Sequence, residues 1–329
     1  MADSLLVTVL IVFWRSDVYL PVCLGRLRVQ TYRNFEIVIV NNGAAHELLD
    51  GLVTDNLRLE HLNENKGFAA ANNIGARLAR GKWIVLLNAD AYPEPDWLET
   101  LLRAAEQNPQ YTAFSSRQIQ FDSPNLLDGA GDAYHISGLA WRNHYNLPVD
   151  RYGLEAAEVF SPCAAAALYD REEFLAVSGF DEDYFSYFED VDLGFRLRLN
   201  GAKCLYVPEA VVHHVGSAST GRRSDFSVYY GYRNMIWTFF KNMPSPHIWL
   251  FLPLHIFAVL FFAAYLTLRG QGGAIWRAIF DAARGLPKML AKRRLIQGDI
   301  KVSPRELIGA MSTGLFEPLR EFLKRNRPA

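Results

Sequence analysis

Several common signatures of enzyme chemistry are missing from these 329 residues. There is no GxxxxGK[ST] loop, which argues against a P-loop ATPase, and no GxGxxG follows the first predicted strand, which argues against a dinucleotide-dependent enzyme. The absence of GxSxG removes the usual nucleophile of α/β-hydrolases. We also find no internal repeat and no low-complexity segment.

Cysteine is scarce as well. The three cysteines, Cys23, Cys163 and Cys204, are far apart and lack the spacing of a metal site. An odd number of widely spaced thiols is typical of a reducing, cytosolic environment. The N-terminal apolar run has no basic segment before it and no small-residue cleavage site, so we interpret it as a buried strand rather than a signal peptide.

Charge is nearly balanced overall but unevenly distributed. The formal net charge is −1, yet residues 269–329 hold 13 Lys and Arg against 5 Asp and Glu. Residues 1–268 therefore hold 21 basic and 30 acidic residues. An acidic body with a basic tail indicates that the tail meets an anionic partner, either nucleic acid or a lipid surface.

Apolar, β-branched runs of strand length alternate with helix-like segments in the first hundred residues. The predicted strands are 5–13, 35–40, 57–61 and 83–87, and the predicted helices are 17–30, 67–80 and 95–107. This alternation predicts a doubly wound, mostly parallel α/β sheet with right-handed crossovers. Ligands bind such sheets at the carboxyl ends of strands, where Asn41-Asn42-Gly43 and Asn88-Ala89-Asp90 fall.

The pattern is less regular after residue 110. Residues 111–160 alternate short β segments with polar loops and are interpreted as a substrate-shaping region. Two further strands are predicted at 203–207 and 210–215, followed by a long helix from near Asp225. We therefore expect a catalytic domain at 1–224, with a nucleotide-binding half at about 1–110 and an acceptor half at about 111–224. A helical, basic region should follow at 225–329.

Acidic and aromatic residues are concentrated in residues 179–201. Six acidic side chains fall within twelve positions, from Asp181 to Asp192, and aromatic residues lie among them. An apolar stripe at Val191, Phe195 and Leu199 predicts a helix. A surface helix does not need so dense a carboxylate cluster, whereas an active site must hold a base in a partly dry pocket.

Four stretches together form an ordered set of motifs. They are YRNFEIVIVNNG (32–43), NENKGFAAANNIGARLARGKWIVLLNAD (63–90), GFDEDYFSYFEDVDLGFRLRLNG (179–201) and VVHHVGSAST (211–220). In this order and spacing the chain resembles inverting family 2 glycosyltransferases of the GT-A fold, most closely the rhamnosyltransferase-like members. The QxxRW motif of processive polysaccharide synthases is absent, which argues for addition of a single sugar.

The resemblance implies a base and a metal site. Glu189 and Asp190 correspond to the family's ED pair, with Asp190 the expected base. The DXD metal motif has an Asn-x-Asp form here, in which Asp90 is the expected ligand of Mg²⁺ or Mn²⁺. A downstream histidine completes the metal site. His214 is the expected ligand and His213 is the alternative.

The resemblance also implies a donor pocket. Its expected residues are Phe13, Asn41, Asn42, Lys66, Gly67, Phe68, Asn73, Asn88, Asp90, Arg222 and Arg223. Asn41 stands where the family usually has an acid, so it can hydrogen-bond the nucleotide but brings no charge. Many members have Gly-Ala where this chain has Cys163-Ala164.

Several of these residues have a structural alternative. Gly67 and Phe68 suit a nucleotide pocket but also a helix start, and the arginines suit a phosphate or a solvated turn. Glu189 and Asp192 can simply cap a helix. Two residues are assigned to sugar or acceptor contact. Asp181 can either contact sugar hydroxyls or cap a loop. Trp141 and Tyr145 can either stack on an acceptor sugar or pack in the core.

Residues 248–268 form an apolar segment without formal charge. At about 1.5 Å per residue it is long enough to cross a bilayer core. The positive-inside rule keeps its basic far flank cytoplasmic, and nucleotide sugars are also cytoplasmic, so both flanks should lie on one side. We therefore predict a peripheral or re-entrant helix on the cytoplasmic face of the cell membrane. The resemblance implies that this membrane is the bacterial inner membrane. A single span and a dimer interface are the alternatives.

The resulting functional prediction is a metal-dependent inverting glycosyltransferase. By resemblance, it moves L-rhamnose from dTDP-L-rhamnose to a lipid-linked or polysaccharide acceptor in cell-surface glycan synthesis. Galactofuranosyl or N-acetylhexosaminyl transfer, a sugar nucleotidyltransferase and a non-catalytic membrane scaffold are the alternatives. The expected partners are the sugar donor, the acceptor, an anionic membrane surface and possible second copies of the chain, but no nucleic acid.

Overall fold

A computed structural model describes residues 7–44, 49, 56–216 and 224–325. The strands are β1 (Val7–Phe13), β2 (Phe35–Asn42), β3 (Leu57–Leu62), β4 (Trp83–Leu87), β5 (Ala91–Pro93), β6 (Ala113–Gln120), β7 (Leu127–Gly129), β8 (Asp132–Tyr134), β9 (Ala140–Arg142), β10 (Ala157–Val159), β11 (Ala166–Asp170) and β12 (Cys204–His214). The helices are α1 (Leu20–Arg28), α2 (Gly67–Leu78), α3 (Trp97–Gln107), α4 (Arg171–Ala176), α5 (Glu189–Leu199), α6 (Asp225–Asn242), α7 (His247–Leu268), α8 (Gly272–Gly298), α9 (Pro304–Gly309) and α10 (Glu317–Arg325). A 3₁₀ turn covers Glu182–Tyr184.

One large sheet organises the first two thirds of the chain. Its strand order is β10-β12-β6-β11-β4-β1-β2-β3, with β5 and β7 attached at β12 and β6. Strands β3, β2, β1 and β4 are parallel, β11 is antiparallel to β4 and β6, and β12 is parallel to β6. The predicted mixed, mostly parallel α/β sheet is confirmed. The carboxyl ends of β1, β2, β4 and β12 therefore reach the same edge.

Apolar layers cover both faces of the sheet. Helices α1 and α3 pack on one face, and α2, α4 and α5 pack on the other. The contact of α5 is especially close, because a Cβ at Gly194 would lie 2.2 Å from Cβ of Ser161. Glycine at this position lets the helix that begins with Glu189 approach the segment before β11.

Local sequence signals predict most ends of the helices and strands to within a few residues of their observed positions. Asp170 caps α4 by accepting hydrogen bonds from the backbone N–H groups of Glu172 and Glu173. The helix predicted from residue 17 begins only at Leu20. The two strands predicted at 203–207 and 210–215 form one strand, because β12 absorbs the intervening residues in a register shift between Val207 and Val211.

The C-terminal helices pack against this body. Helices α6 and α8 lie along each other, and Trp237 on α6 donates its indole N–H to the carbonyl of Ala282 on α8. Phe239 and Met243 share an apolar cluster with Phe195 of α5. The boundary expected after residue 224 stays a prediction, and an apolar core extends across it.

Candidate active site

A cavity of about 530 Å³ opens at the carboxyl edge of the sheet. It brings together most of the residues that the sequence assigns to catalysis, donor or metal binding. Those that line it are Asn42, Gly67, Phe68, Asn88, Asp90, Glu189, Asp190 and His214. Trp141, assigned to sugar or acceptor contact, lines it as well. Loops after β1, β2 and β4, the start of α5 and the end of β12 meet here, so residues far apart in the chain share one pocket.

Asp190 is held at the wall of this cavity. It lies in the first turn of α5, where one carboxylate oxygen accepts a hydrogen bond from the N–H of Val191 at 2.9 Å. The other oxygen accepts from the N–H of Ala164 at 3.2 Å. These two donors fix the carboxylate between α5 and the segment before β11.

The surroundings of Asp190 tune its acidity. Burial raises the pKa of Asp190 above its usual value, although the N–H groups of Ala164 and Val191 and the positive charge of Arg142 oppose the rise. Burial and the neighbouring Asp190 raise the pKa of Glu189 well above its usual value. A carboxylate that accepts protons more readily than usual suits a general base.

A row of oppositely charged side chains lies at the end of β12. His214 Nδ1 donates to Oδ2 of Asp128 at 2.8 Å, and its Nε2 lies 3.5 Å from Oδ1 of Asp90. Arg142 pairs with the same oxygen of Asp128. Burial alone would lower the pKa of His214, but Asp128 and Asp90 raise it to about 9.

The Asp90–His214 pair presents an oxygen and a nitrogen ligand to the cavity. Asp128 fixes the imidazole orientation through Nδ1, which leaves Nε2 directed towards Asp90. This arrangement, a carboxylate ligand beside an oriented histidine, fits a divalent cation. Among the described residues, no group of three or more His, Cys, Asp or Glu side chains is arranged to hold a metal ion.

The two candidate histidines point to opposite faces of β12. His213 is absent from the cavity wall and its Nε2 lies 2.9 Å from Glu94. Successive side chains of a strand alternate between faces, so only one of the two neighbours can reach the cavity. Of the pair, His214 occupies the position that the metal assignment requires.

Asn42 and Gly67 shape the donor side of the cavity. The Asn42 amide donates to Oδ1 of Asn65 at 2.9 Å, and its oxygen accepts from the N–H of Lys66 at 2.8 Å. Gly67 has φ of 86°, and a Cβ there would lie 2.6 Å from the ring of Phe185. The turn before α2 therefore packs directly against the loop before α5.

Other predicted donor residues lie behind the cavity wall. Phe13 is in the core, and Asn41 bonds with Ala44 instead of lining the cavity. Asn73 donates to the carbonyl of Phe180 and accepts from its N–H, both at 2.8 Å, so it fixes the acidic stretch from behind. The side chain of Lys66 is also outside the lining, and Arg222 and Arg223 fall outside the described residues.

Two roles are predicted for Asp181, sugar contact and loop capping. In the structure Asp181 caps the 3₁₀ turn at Glu182–Tyr184. Its carboxylate accepts from the N–H of Asp183 and pairs with Lys241 at 2.6 Å and with Lys292. It is not part of the cavity lining. Burial alone would raise the pKa of Asp181, but the two lysines hold it below its usual value.

The loop that leads into α5 has an unusual backbone. Phe185, Tyr187 and Phe188 all have positive φ, between 65° and 70°. Bulky residues adopt this conformation only when the surrounding structure stabilises it. Phe188 directly precedes Glu189, so the loop conformation sets where α5 begins and where Asp190 lies.

Asn234 on α6 stabilises this loop, and sequence reasoning missed it. Its fully buried amide donates to the carbonyls of Tyr184 and Ser186 at 3.0 Å and of Tyr187 at 2.7 Å. The neighbouring Arg233 also donates to the carbonyl of Tyr184. No motif could reveal this role, because the partners are backbone groups about fifty positions away.

Comparison with known proteins agrees with this geometry. The family described as Glycosyl transferase family 2 matches residues 8–174. The chain therefore belongs to glycosyltransferase family 2 and is a transferase. The N-acetylglucosaminyl-diphospho-decaprenol L-rhamnosyltransferase of Mycobacterium tuberculosis (strain ATCC 25618 / H37Rv) is 31% identical over 228 residues, which span 60% of this chain and 72% of the relative. The rhamnosyltransferase-like resemblance is confirmed.

Solved structures share the fold. GalNAc-T7 with UDP, GalNAc and Mn²⁺ superimposes with a TM-score of 0.60 at 17% identity, over 75% of this chain and 49% of that one. The mannosyltransferase PcManGT from Pyrobaculum calidifontis, in complex with GDP-Man and Mn²⁺, gives a TM-score of 0.52 at 16% identity, over 92% and 85%. The predicted GT-A fold is confirmed.

We expect Asn234→Asp to impair catalysis by releasing the loop. The substitution keeps the side-chain shape but turns a donor to three carbonyls into a negatively charged acceptor. Loss of unfolding free energy should be roughly 1–3 kcal/mol, and kcat for sugar transfer should fall at least tenfold at temperatures where the variant is folded. Urea unfolding and steady-state kinetics measure the two effects. Tyr229→Phe, also on α6, removes a hydrogen bond to Asp281 of α8 and is the control. Unchanged kcat in folded Asn234→Asp would contradict the positioning role.

Proposed function

We propose that this glycosyltransferase transfers L-rhamnose from dTDP-L-rhamnose, with inversion, to a lipid-linked acceptor in cell-surface glycan synthesis. The observation that carries the proposal is that Asp190, the candidate base, and the Asp90–His214 pair line one cavity. Inversion needs a base on the face of the sugar opposite the leaving diphosphate. A candidate base and a candidate cation site that line one pocket suit that requirement.

Asp190 is proposed to take the proton of the acceptor hydroxyl. Its raised pKa increases its affinity for that proton, and the N–H groups of Ala164 and Val191 still favour the charged form enough for it to act as a base. General-base assistance of this kind is typically worth roughly 10²–10⁴ in rate. Glu189 is proposed to keep a supporting role, because burial and the neighbouring Asp190 raise its pKa well above the usual value.

Asp90 and His214 are proposed to hold Mg²⁺ or Mn²⁺. A bound divalent cation would neutralise the negative charge that develops on the departing diphosphate. Hard cations accept few protein ligands when phosphate oxygens complete the shell, which suits a two-residue set. Asp128 and Arg142 orient His214 from behind, and the Mn²⁺ bound in both similar structures supports a divalent ion.

The donor and acceptor are proposed from the relative of 31% identity. That protein is named for L-rhamnose transfer to N-acetylglucosaminyl-diphospho-decaprenol, and it is matched over 72% of its length. A lipid-linked acceptor also suits the C-terminal region of this chain. Other donors, such as galactofuranosyl or N-acetylhexosaminyl nucleotides, are distinguished by screening the purified protein for donor hydrolysis.

The protein is proposed to lie on the cytoplasmic face of the membrane through α7. Among the described helices α7 is the one long and apolar enough to span a bilayer, and only 28% of its most apolar window is buried. Its middle contacts the catalytic body, since His255 donates to the carbonyl of Ser137 at 2.7 Å. Lys292 on α8 pairs with Asp181, so both flanks of α7 contact the same body. These contacts favour an in-plane helix over a single span.

We expect Asp190→Asn to reduce sugar transfer by roughly 10²–10⁴ while donor binding stays nearly unchanged, because the amide cannot accept the proton. Single-turnover kinetics and calorimetry of dTDP binding measure the two quantities. Glu182→Gln, in the same acidic stretch but exposed to solvent, is the matched control. Normal turnover by Asp190→Asn would remove Asp190 as the base.

We expect His214→Ala to weaken Mn²⁺-dependent dTDP binding at least tenfold, because one of two protein ligands is lost. The His213→Ala variant should bind Mn²⁺ and dTDP as the wild type does, since His213 faces Glu94 on the other side of the strand. Calorimetry, and electron paramagnetic resonance of Mn²⁺, measure binding without turnover. Equal losses in both variants would contradict the assignment of His214.

We expect Trp249→Ser, Phe257→Ser and Phe261→Ser together to release the protein from anionic vesicles. These side chains are exposed on one side of α7, so their loss removes apolar area that would enter the lipid. Flotation with phosphatidylglycerol vesicles in the absence of detergent measures binding. Val18→Ser, Val22→Ser and Val29→Ser, three exposed apolar residues of the catalytic body, serve as the control. Unchanged flotation would contradict the proposal, and conversion of a dimer to a monomer would indicate an interface between copies.

A further inference from the structure

A second cavity, of about 680 Å³, lies beside the active site. The two cavities have five lining residues in common. These are Ala140, Trp141, Arg142, Tyr187 and Phe188. The second cavity also includes Asp128, which holds His214. It is therefore continuous with the catalytic pocket on the side of β9 and the loop before α5.

The remaining walls come from the C-terminal helices and are largely apolar and aromatic. Helix α6 contributes Tyr232 and Met235, α7 contributes Phe262 and Tyr265, and α10 contributes Phe322. Protein interiors normally close such spaces to the density of organic crystals. A cavity of this size between aromatic helices is therefore suited to a ligand with a substantial apolar part.

The cavity also contains charge. Its cationic side chains among the described lining residues are Arg142 and the exposed Arg269. Its acidic ones are Asp128, which pairs with Arg142, and Glu321, which pairs with Lys324. Arg269 lies over the ring of Tyr265, 5.5 Å from its centroid, which places a positive charge next to an aromatic wall. An apolar space with arginines in its walls matches an amphiphile that has an apolar chain and a phosphate head group.

Helix α7 connects this cavity with the surface proposed to meet the membrane. Phe262 and Leu266 face the cavity, whereas Phe257 and Phe261 are exposed on another side of the same helix. A lipid that leaves the bilayer along α7 can enter the cavity without its chain crossing open water.

We propose that the second cavity binds the lipid-diphosphate part of the acceptor, an isoprenoid chain joined through diphosphate to a sugar. The chain lies among α6, α7 and α10, the diphosphate lies near Arg269 and Arg142, and the sugar reaches Asp190 past Trp141. This inference rests on the proposed function and specifies the class of acceptor and its route to the base. The walls that α6, α7 and α10 contribute lie beyond the family match at 8–174.

Gly231 provides a direct test. It lines the cavity from α6, and a Cβ placed there meets no atom within 4 Å. Gly231→Leu should fill part of the cavity without a clash, whereas Gly231→Ala should leave it open and is the matched control. The probe is farnesyl diphosphate, and its binding to the full-length protein is measured by calorimetry. We expect binding at least tenfold weaker in Gly231→Leu and unchanged in Gly231→Ala.

Binding measurements with a second variant and with other ligands identify which part of farnesyl diphosphate is recognised. Arg269→Gln should weaken binding of farnesyl diphosphate but not of farnesol, because only the former carries the anionic head group. As Arg269 is exposed, this variant tests the cavity independently if Gly231→Leu fails to fold. Binding of dTDP should be equal in all variants, because dTDP occupies the donor cavity.

Two results would overturn the proposal. One is wild-type affinity for farnesyl diphosphate in both folded Gly231→Leu and Arg269→Gln. The other is complete competition of farnesyl diphosphate by dTDP alone, which would assign its binding to the donor cavity. If farnesyl diphosphate binding is lost in Gly231→Leu but no dTDP-sugar binds the wild type, the cavity assignment is supported and only the proposed donor is overturned.

Discussion

The buried ammonium group of Lys241 is the interaction on which the rest of the site depends. It lies between Asp181 at 2.6 Å and Asp192 at 2.7 Å, and its side chain has no solvent exposure. A buried charge is costly unless opposite charges and hydrogen bonds surround it. The three groups can therefore be buried only together, which fixes α6 against both ends of the acidic stretch. Arg196 also pairs with Asp192, at 2.9 Å, and extends the network along α5.

This network explains why the acidic stretch is so dense. Its carboxylates have two separate tasks. Asp181, Asp183 and Asp192 pair with lysines or arginine from α5, α6 and α8 and fix the loop. Glu189 and Asp190 face the cavity, where burial raises their pKa values. The structural carboxylates are held charged by cations, and the candidate catalytic ones are not directly paired with a lysine.

The helical region is thus part of the active site as well as a candidate membrane surface. Asn234 stabilises the loop whose three bulky residues have positive φ, and α6 and α7 form the wall of the second cavity. Under the proposed function, α7 would contact the bilayer while α6 holds the loop before α5, and this would link the position of the acceptor to that of Asp190.

Sequence alone determined the α/β sheet, its ligand-binding edge and the family, because strand periodicity and the spaced motifs are local properties of the chain. It also proposed Asp90, Asp190 and His214, which the fold brings to one cavity. Only the tertiary structure separated His214 from His213, placed Asp181 in an ion network, and revealed Asp128 and Asn234. Those outcomes depend on which side chains and carbonyls meet across fifty or more positions, and no local pattern encodes such meetings.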